Sequence, residues 1–426
     1  MSGAEIEIES LSALEILDSR GRPTVSVALT LADGDVVTAQ VPSGASTGSG
    51  EAVELRDGGT VRYAGQGALS AVGNVNGAIA EAICGRRFAD LAELDAAVCE
   101  LDGTPNKAAL GANAIVGVSM AAARAFAHAA GSSLWRYLTS ADVTASLPVP
   151  HFNVVNGGAH APNPLEFQEF MLAPLGASSY AEALRAGAEV YAALKKRLAA
   201  AGHATGLGDE GGFAPALEAP EDVLDTLVAA ITDAGYTPGR DGVAIALDPA
   251  ANGFYRDGKY EFAGRRLASS DMVAYYGELI ERFPVWSIED GLAEDDWDGW
   301  KTLTEELGGR IQVVGDDIFV TNPRIIADAV QRGIANAALI KVNQIGTITE
   351  TLEALQVCRD GGYAAMISHR SGETPDAFIA DLAVGAGCGQ LKSGAPARGE
   401  RVAKYNRLLE IARDDPTLAL HRSAAG

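Results

Sequence analysis

The sequence predicts an α/β protein, most of it a β/α barrel, with a smaller α+β domain in front. In the C-terminal part, short apolar segments end in charged or polar residues, and stretches long enough for helices separate them. Continuous apolar runs are typical of parallel strands covered on both faces. A parallel barrel gathers the C-terminal ends of its strands at one rim, where active sites lie. The segments are 244–247, 285–288, 311–315, 337–340 and 364–367.

The N-terminal part has a different pattern, which predicts a three-stranded meander followed by helices. Residues 5–41 tend to alternate apolar and polar side chains, with a hairpin turn at residues 32–35. Ala-rich amphipathic stretches follow over residues 67–138. A looser segment begins at Ser140, so we assign residues 1–140 to the smaller domain and residues 141–426 to the barrel.

Composition narrows the classes of function. The chain has 426 residues, of which 47% are hydrophobic and 21% charged, as in soluble globular proteins with room for two cores. A net charge of −23 argues against nucleic acid and anionic membranes as main partners, although a small anionic substrate is compatible with it. Four cysteines without a C-x-x-C pair predict no zinc site and a cytoplasmic setting. Neither a signal-peptide pattern nor an apolar run of membrane-spanning length is found, so membrane insertion is not expected.

Three carboxylates at successive strand ends predict a metal site. Asp248, Glu289 and Asp316 each follow an apolar segment directly. Any one of them could instead be a helix N-cap or a surface residue, but their repetition at one barrel rim favours a shared cation. Ligands that are all oxygen atoms indicate Mg²⁺ rather than zinc or copper.

The next two strand ends carry basic and hydroxyl groups. Lys341 ends an apolar strand, either as a structural salt bridge to one of the carboxylates or as a general base. A base would need its pKa lowered, and burial together with the metal ion and Lys392 could lower it. His369, Arg370 and Ser371 follow the last of the five segments and predict a clamp for phosphate or carboxylate.

Three glycine-rich loops carry further candidates. Glu210 lies within residues 206–212, where it is either part of a solvated turn or the acid that an elimination needs for its leaving hydroxide. His160 lies in a second such loop, which favours a ligand-facing position. Residues 44–48 match the G-x-S-x-G signature of serine hydrolases but follow a meander, so a mobile lid that offers Ser46 to a metal or substrate is favoured.

Together these residues resemble the enolase family over nearly the whole chain. The resemblance implies a modified β/α (TIM-like) barrel capped by the α+β domain. It also implies the Mg²⁺-dependent, reversible dehydration of 2-phospho-D-glycerate to phosphoenolpyruvate, a hydro-lyase reaction of glycolysis and gluconeogenesis. The motifs that carry it are Leu17–Gly21, Ser43–Gly48, Asn156–His160, Phe167–Met171, Gly208–Gly212, Ser287–Gly291, Val314–Asp317, Leu339–Gly346, Ile367–Thr374 and Arg401–Asn406.

The resemblance further implies two Mg²⁺ ions per active site and a role for each candidate. The metal ligands would be Asp248, Glu289 and Asp316 for the first ion and Ser46 for the second. Lys341 matches the base that removes the C2 proton, and Glu210 matches the acid that assists loss of the C3 hydroxyl. The substrate contacts would come from His160, Gln168, Glu169, Lys341, His369, Arg370, Ser371 and Lys392, with Glu169 and His369 also counted as catalytic.

Several positions depart from the family pattern. Asn252-Gly253 stands where Ser-Glu is usual, Pro162 follows His160, and Gly399 replaces a serine. Ser26 and Glu410 occupy positions where dimeric members pair a glutamate with an arginine, so the expected homodimer, or a multiple of it, needs other contacts. Two alternatives stay open. One is a paralogue acting on a related phosphonate or phosphorylated hydroxy acid, and the other is an additional non-catalytic role in surface binding, with a cell-surface or secreted pool.

Overall fold

The structure, a computed structural model, describes residues 5–45 and 47–421. Its N-terminal part is an antiparallel sheet with strand order β3-β2-β1-β4. The predicted meander is confirmed, and β4 adds a fourth strand that is too short to show any periodicity in the sequence. The strands are β1 (Ile6–Leu17), β2 (Pro23–Leu31), β3 (Val36–Gln40) and β4 (Arg87–Phe88).

Helices cover one face of this sheet. The central one, α4, is buried over most of its length and packs against β2 and β3. Gly117 allows the close approach, because a Cβ atom there would lie 2.7 Å from Cγ2 of Val27. The helices are α1 (Leu69–Asn74), α2 (Ala80–Ile83), α3 (Leu91–Asp102), α4 (Ala112–Ala129) and α5 (Leu134–Leu138).

Eight strands form a closed barrel in the order β11-β12-β13-β14-β15-β5-β6-β7. The predicted modified β/α barrel is confirmed, and the modification is at β6, which pairs antiparallel with both neighbours. This reversal brings the first residue of β6, Glu169, to the rim where the other strands end. The strands are β5 (Val149–Asn156), β6 (Glu169–Ala173), β7 (Ala244–Asp248), β11 (Val285–Glu289), β12 (Gln312–Gly315), β13 (Ala337–Ile340), β14 (Ala364–Ser368) and β15 (Gln390–Lys392).

Helices surround the barrel, and a small antiparallel sheet of β8 (Tyr255–Arg256), β9 (Lys259–Phe262) and β10 (Arg265–Leu267) follows β7. Within the described ranges, every helix is too short or too polar to cross a membrane. The helices are α6 (Tyr180–Ala200), α7 (Pro220–Asp233), α8 (Ser269–Arg282), α9 (Trp297–Leu307), α10 (Pro323–Arg332), α11 (Val342–Ile345), α12 (Ile348–Asp360), α13 (Phe378–Gly385) and α14 (Gly399–Asp414).

The N-terminal part sits on the rim of the barrel. Ser43 and Gly372 exchange two backbone hydrogen bonds, of 2.8 and 2.9 Å. Arg124 of α4 binds both carboxylate oxygens of Asp376, at 2.6 and 2.8 Å. These contacts hold the glycine-rich loop after β3 over the C-terminal ends of the barrel strands.

Candidate active site

The barrel strands surround a small cavity of about 20 Å³ at this rim. Most of its lining residues are charged, a composition that core packing does not explain. The lining contains the predicted substrate contacts together with two of the predicted metal ligands. The lining residues are His160, Gln168, Glu169, Glu210, Asp248, Asp316, Lys341, Ser368, His369, Arg370, Ser371 and Lys392. Ser46 lies outside the described residues.

Lys392, the last residue of β15, lies among three buried carboxylates. Its Nζ is 2.6 Å from Oε1 of Glu289, 3.4 Å from Oε2 of Glu169 and 3.8 Å from Oδ2 of Asp248. Burial, and then the charge of Glu289, raise the pKa of Asp248 well above its usual range. Among the described residues, Oε2 of Glu289 is buried and has no hydrogen-bond partner. This part of the site is therefore short of positive charge.

The predicted metal ligands fit Mg²⁺ by their chemistry. Asp248, Glu289 and Asp316 offer only oxygen atoms, and the unpartnered oxygen of Glu289 is a ready ligand. Among the described residues, Asp248, Glu289 and Asp316 do not form a group with one oxygen each within 4.8 Å of one another. Asp290, Asp316 and Asp317 do form such a group. Asp290 supports the turn, however, because its two oxygens accept the amide protons of Asp316 and Asp317 at 2.8 and 3.0 Å.

Lys341 forms a salt bridge, the structural alternative considered for it. Its Nζ donates to Oδ2 of Asp316, and Gln344 donates to the other oxygen of that carboxylate at 2.9 Å. Burial is the largest influence and would lower the pKa of Lys341, but the neighbouring carboxylates, Asp316 first and then Glu289, leave that pKa raised overall. The expected lowering depends on a bound metal ion as well as on burial and Lys392, and it stays a prediction. Lys341 could act as a base only when Asp316 is engaged elsewhere.

Glu169 and Glu210 face each other as a carboxyl pair beside His160, whose Nδ1 lies 3.7 Å from Oε1 of each. Burial and the charge of Glu210 raise the pKa of Glu169 well above its usual range. Burial opposes ionisation of Glu210 too, but His369 and His160 hold its pKa well below that range. The other oxygen of Glu210, Oε2, accepts from Asn153 at 2.9 Å and lies 3.2 Å from Nε2 of His369. Since like charges disfavour double ionisation, one proton shared by the two carboxyl groups is the favoured state of the pair.

Arg370, predicted as an anion clamp, is held by groups from two directions. Glu51 accepts from both of its terminal nitrogens, at 2.9 and 3.1 Å, and Asn343 accepts at 3.1 Å. The hydroxyl oxygen of Ser371 lies 3.2 Å from Nε2 of His160. Arg370 and Ser371 therefore have fixed positions on the cavity wall, as a binding site for an anion requires.

Two family models match the chain. One describes the enolase N-terminal domain and covers residues 8–138, and the other describes the enolase C-terminal TIM barrel domain and covers residues 144–421. The curated enolase of Rubrobacter xylanophilus is 57% identical over 407 residues, which span 95% of this chain and 94% of that protein. The chain belongs to the enolase family. The predicted family, the capped barrel and the hydro-lyase class, phosphopyruvate hydratase, are thereby confirmed.

Sequence reasoning left several contacts of this enolase-family site unassigned. Gln344 and Arg401 lie within motifs that carried the resemblance, and Glu51 follows the glycine-rich loop. Their positions in the sequence therefore indicated that they lie near the site. The sequence contains no such indication for Asn153, because a single asparagine in an apolar strand does not show which way its side chain points. The unassigned residues are Glu51, Asn153, Asp290, Gln344 and Arg401.

Gly44 provides a test of the position of Arg370 in this enolase-family site. A Cβ atom at Gly44 would lie 2.1 Å from Nη2 of Arg370, so Gly44→Ala has to displace the guanidinium. We expect KM for a phosphorylated substrate to rise about 10- to 100-fold, since small displacements of a binding group cost up to that much. Steady-state kinetics would measure it. Gly73→Ala in α1 is the matched control, because its Cβ would meet no atom within 4 Å. An unchanged KM in Gly44→Ala would show that Arg370 does not bind the substrate.

Proposed function

We propose that this enolase-family protein dehydrates 2-phospho-D-glycerate reversibly to phosphoenolpyruvate, with two Mg²⁺ ions per active site. The observation that carries the proposal is the placement of a basic and an acidic group on opposite walls of one cavity. Lys341 directly follows β13, and Glu169 begins β6, four strands away in the eight-stranded ring. A substrate bound between them presents C2 to the base and its C3 hydroxyl to the acid.

Lys341 is the proposed base for the C2 proton. Asp248, Glu289 and Asp316 would hold the first Mg²⁺ and Ser46 the second, and Lys341 would become basic once Asp316 no longer pairs with it. Bound Mg²⁺ would supply the positive charge that stabilises the dianion formed when the C2 proton is lost.

The carboxyl pair of Glu169 and Glu210 is the proposed acid. Its single proton is transferred to the leaving hydroxyl, since hydroxide leaves poorly unless it is protonated. Asn153 donates to Oε2 of Glu210, and Nε2 of His369 lies 3.2 Å from the same oxygen, so Oε1 is the oxygen proposed to share the proton with Glu169. Other lining residues are proposed to bind the phosphate and carboxylate of the substrate, and these are His160, Gln168, His369, Arg370, Ser371 and Lys392.

Turnover of 2-phosphoglycerate tests this function. Purified protein with Mg²⁺ should form phosphoenolpyruvate, followed by its ultraviolet absorbance, with kcat/KM of about 10⁴ M⁻¹s⁻¹ or above. A value several orders of magnitude lower, with folding and Mg²⁺ binding intact, would favour the paralogue that acts on a related phosphonate. A panel of phosphorylated and phosphonylated hydroxy acids would then identify the substrate.

The positions that depart from the family pattern support 2-phosphoglycerate over an analogue. The cavity lining, within the described residues, includes none of Pro162, Asn252, Gly253 and Gly399. Asn252 instead joins two loops of the barrel rim, since it donates to Asp317 at 2.9 Å and accepts the amide proton of Glu294 at 2.9 Å. The residues that would contact the substrate are those of the family.

We also propose a cytoplasmic homodimer, with domains at residues 1–140 and 141–426. The four free cysteines support a reducing compartment. Glu410 pairs with Arg407 of its own chain at 3.1 Å, so a dimer would rest on contacts other than the usual ion pair. A surface-binding role stays a prediction.

A further inference from the structure

Arg401 in the first turn of α14 is fully buried, at 0% exposure. Burying a guanidinium is costly unless its donors are satisfied. Its Nη1 donates to Nδ1 of His369 and to the carbonyl of Arg370, both at 2.6 Å. Its Nη2 donates to the carbonyls of Ser371 and Asp209, at 2.6 and 3.1 Å. One side chain thus joins α14 to two loops of the active site.

These contacts fix the protonation of His369. A guanidinium carries donors only, so Nδ1 of His369 can act only as an acceptor. The neutral ring then has its proton on Nε2, which lies 3.2 Å from Oε2 of Glu210. Because Asp209 directly precedes Glu210, the same guanidinium also anchors the backbone that carries that carboxylate.

We propose that Arg401 is a positioning residue for the elimination: it holds His369 in the Nε2–H tautomer and keeps this nitrogen beside Oε2 of Glu210. The inference rests on the proposed function. With Arg401 in place, Asn153 donates to Oε2 of Glu210 and Nε2–H of His369 lies 3.2 Å from the same oxygen, so Oε1 is left for the proton of the carboxyl pair. Without Arg401, the ring can carry its proton on Nδ1, and Nε2 then competes for protons instead of donating one.

A purely structural role is the alternative, and Lys404 allows the two to be separated. Lys404 lies one turn further along α14 and is 1% exposed. Its Nζ donates to Oε2 of Glu373 at 2.7 Å and to the carbonyls of Thr374 and Glu400 at 2.6 and 2.8 Å. Lys404 therefore ties the same helix to the same loop through a buried cation, and its three contacts do not include His369.

The test compares Arg401→Met with Lys404→Met in protein labelled with ¹³C and ¹⁵N in its histidines. The chain has six histidines, so His369→Gln identifies the signals of His369 by difference. We expect the Nε2–H tautomer in the wild type and in Lys404→Met, and a mixture with Nδ1–H or imidazolium in Arg401→Met. We also expect Arg401→Met to lower kcat for dehydration about 100-fold with little change in KM, as for other misplaced catalytic groups. Lys404→Met should lower thermal stability and leave kcat of the folded protein near the wild-type value.

Arg401→Gln is the second variant, in case Arg401→Met does not fold. An amide can donate to the carbonyls, but its oxygen can also accept from Nδ1–H, so it no longer dictates the tautomer. The proposal is overturned if the wild-type ring is not the Nε2–H tautomer. It is also overturned if the Arg401 variants keep that tautomer, or lose activity only in proportion to unfolded protein. A wild type that does not turn over 2-phosphoglycerate would instead overturn the proposed function, while the tautomer measurement would still report on Arg401.

Discussion

Lys341→Ala is expected to abolish exchange of the C2 hydrogen of 2-phosphoglycerate with solvent deuterium. The cavity lining places the Lys341 amine at the end of β13, and removing a general base costs about 10²- to 10⁴-fold in rate. Exchange measured by proton NMR in D₂O isolates this step from the loss of hydroxide. Dehydration should fall by the same factor, because it follows removal of the proton.

Two further variants complete this test. Lys341→Arg keeps a positive charge beside Asp316 but cannot give up a proton, so it should lose exchange as Lys341→Ala does. Glu210→Gln should impair dehydration and retain some exchange, because formation of the carbanion precedes loss of the hydroxyl. Exchange at the native rate in Lys341→Ala would mean that another residue is the base.

Removal of Mg²⁺ is the second change with a large expected effect. Excess EDTA should stop turnover, and added Mg²⁺ should restore it, since three buried carboxylates around too little positive charge cannot stabilise a dianion. Glu289→Gln removes the charge of a buried group whose Oε2 has no hydrogen-bond partner among the described residues. We expect it to raise the Mg²⁺ concentration needed for half-maximal rate at least about 100-fold, or about 2.7 kcal/mol.

A second acidic group of this protein supplies the control for that experiment. Asp33, Asp35 and His128 bring their ligand atoms within 4.8 Å of one another, but all three are exposed. Asp33→Asn should leave the Mg²⁺ requirement unchanged, because exposed acids in water hold Mg²⁺ weakly and none of these three residues lines the cavity. Undiminished turnover in excess EDTA would contradict the metal-dependent mechanism.

Most barrel strands could be predicted because each is an apolar run that ends in a polar group. The direction of β6 could not, since the run Phe170-Met171-Leu172 looks the same for a parallel and an antiparallel strand. Strand β15 was missed for another reason. Gln390 and Lys392 are polar residues on either side of Leu391, and they are buried by side-chain partners that local sequence does not contain.

For the candidate site, too, some features could be predicted from the sequence and others could not. Its residue types were predictable, because strand ends and glycine-rich loops mark them in the sequence. The partners of those residues were not, because they depend on distant parts of the chain. Glu51, which holds Arg370, lies 319 positions before it, and the contact requires the N-terminal part to sit on the barrel. The sequence also did not show that Lys341 pairs with Asp316, and the charge of Asp316 is the main cause that raises the pKa of Lys341.

The reversal of β6 has a consequence for evolution of the pocket entrance. Parallel neighbours are joined by crossovers of about a dozen residues or more, usually through an outer helix. Strands β5 and β6 are instead joined at the rim by residues 157–168, which include His160. Lengthening a flexible loop costs only about 0.6 kcal/mol per doubling. Insertions and substitutions there, of which Pro162 is an example, can reshape the entrance while the outer helices keep their packing.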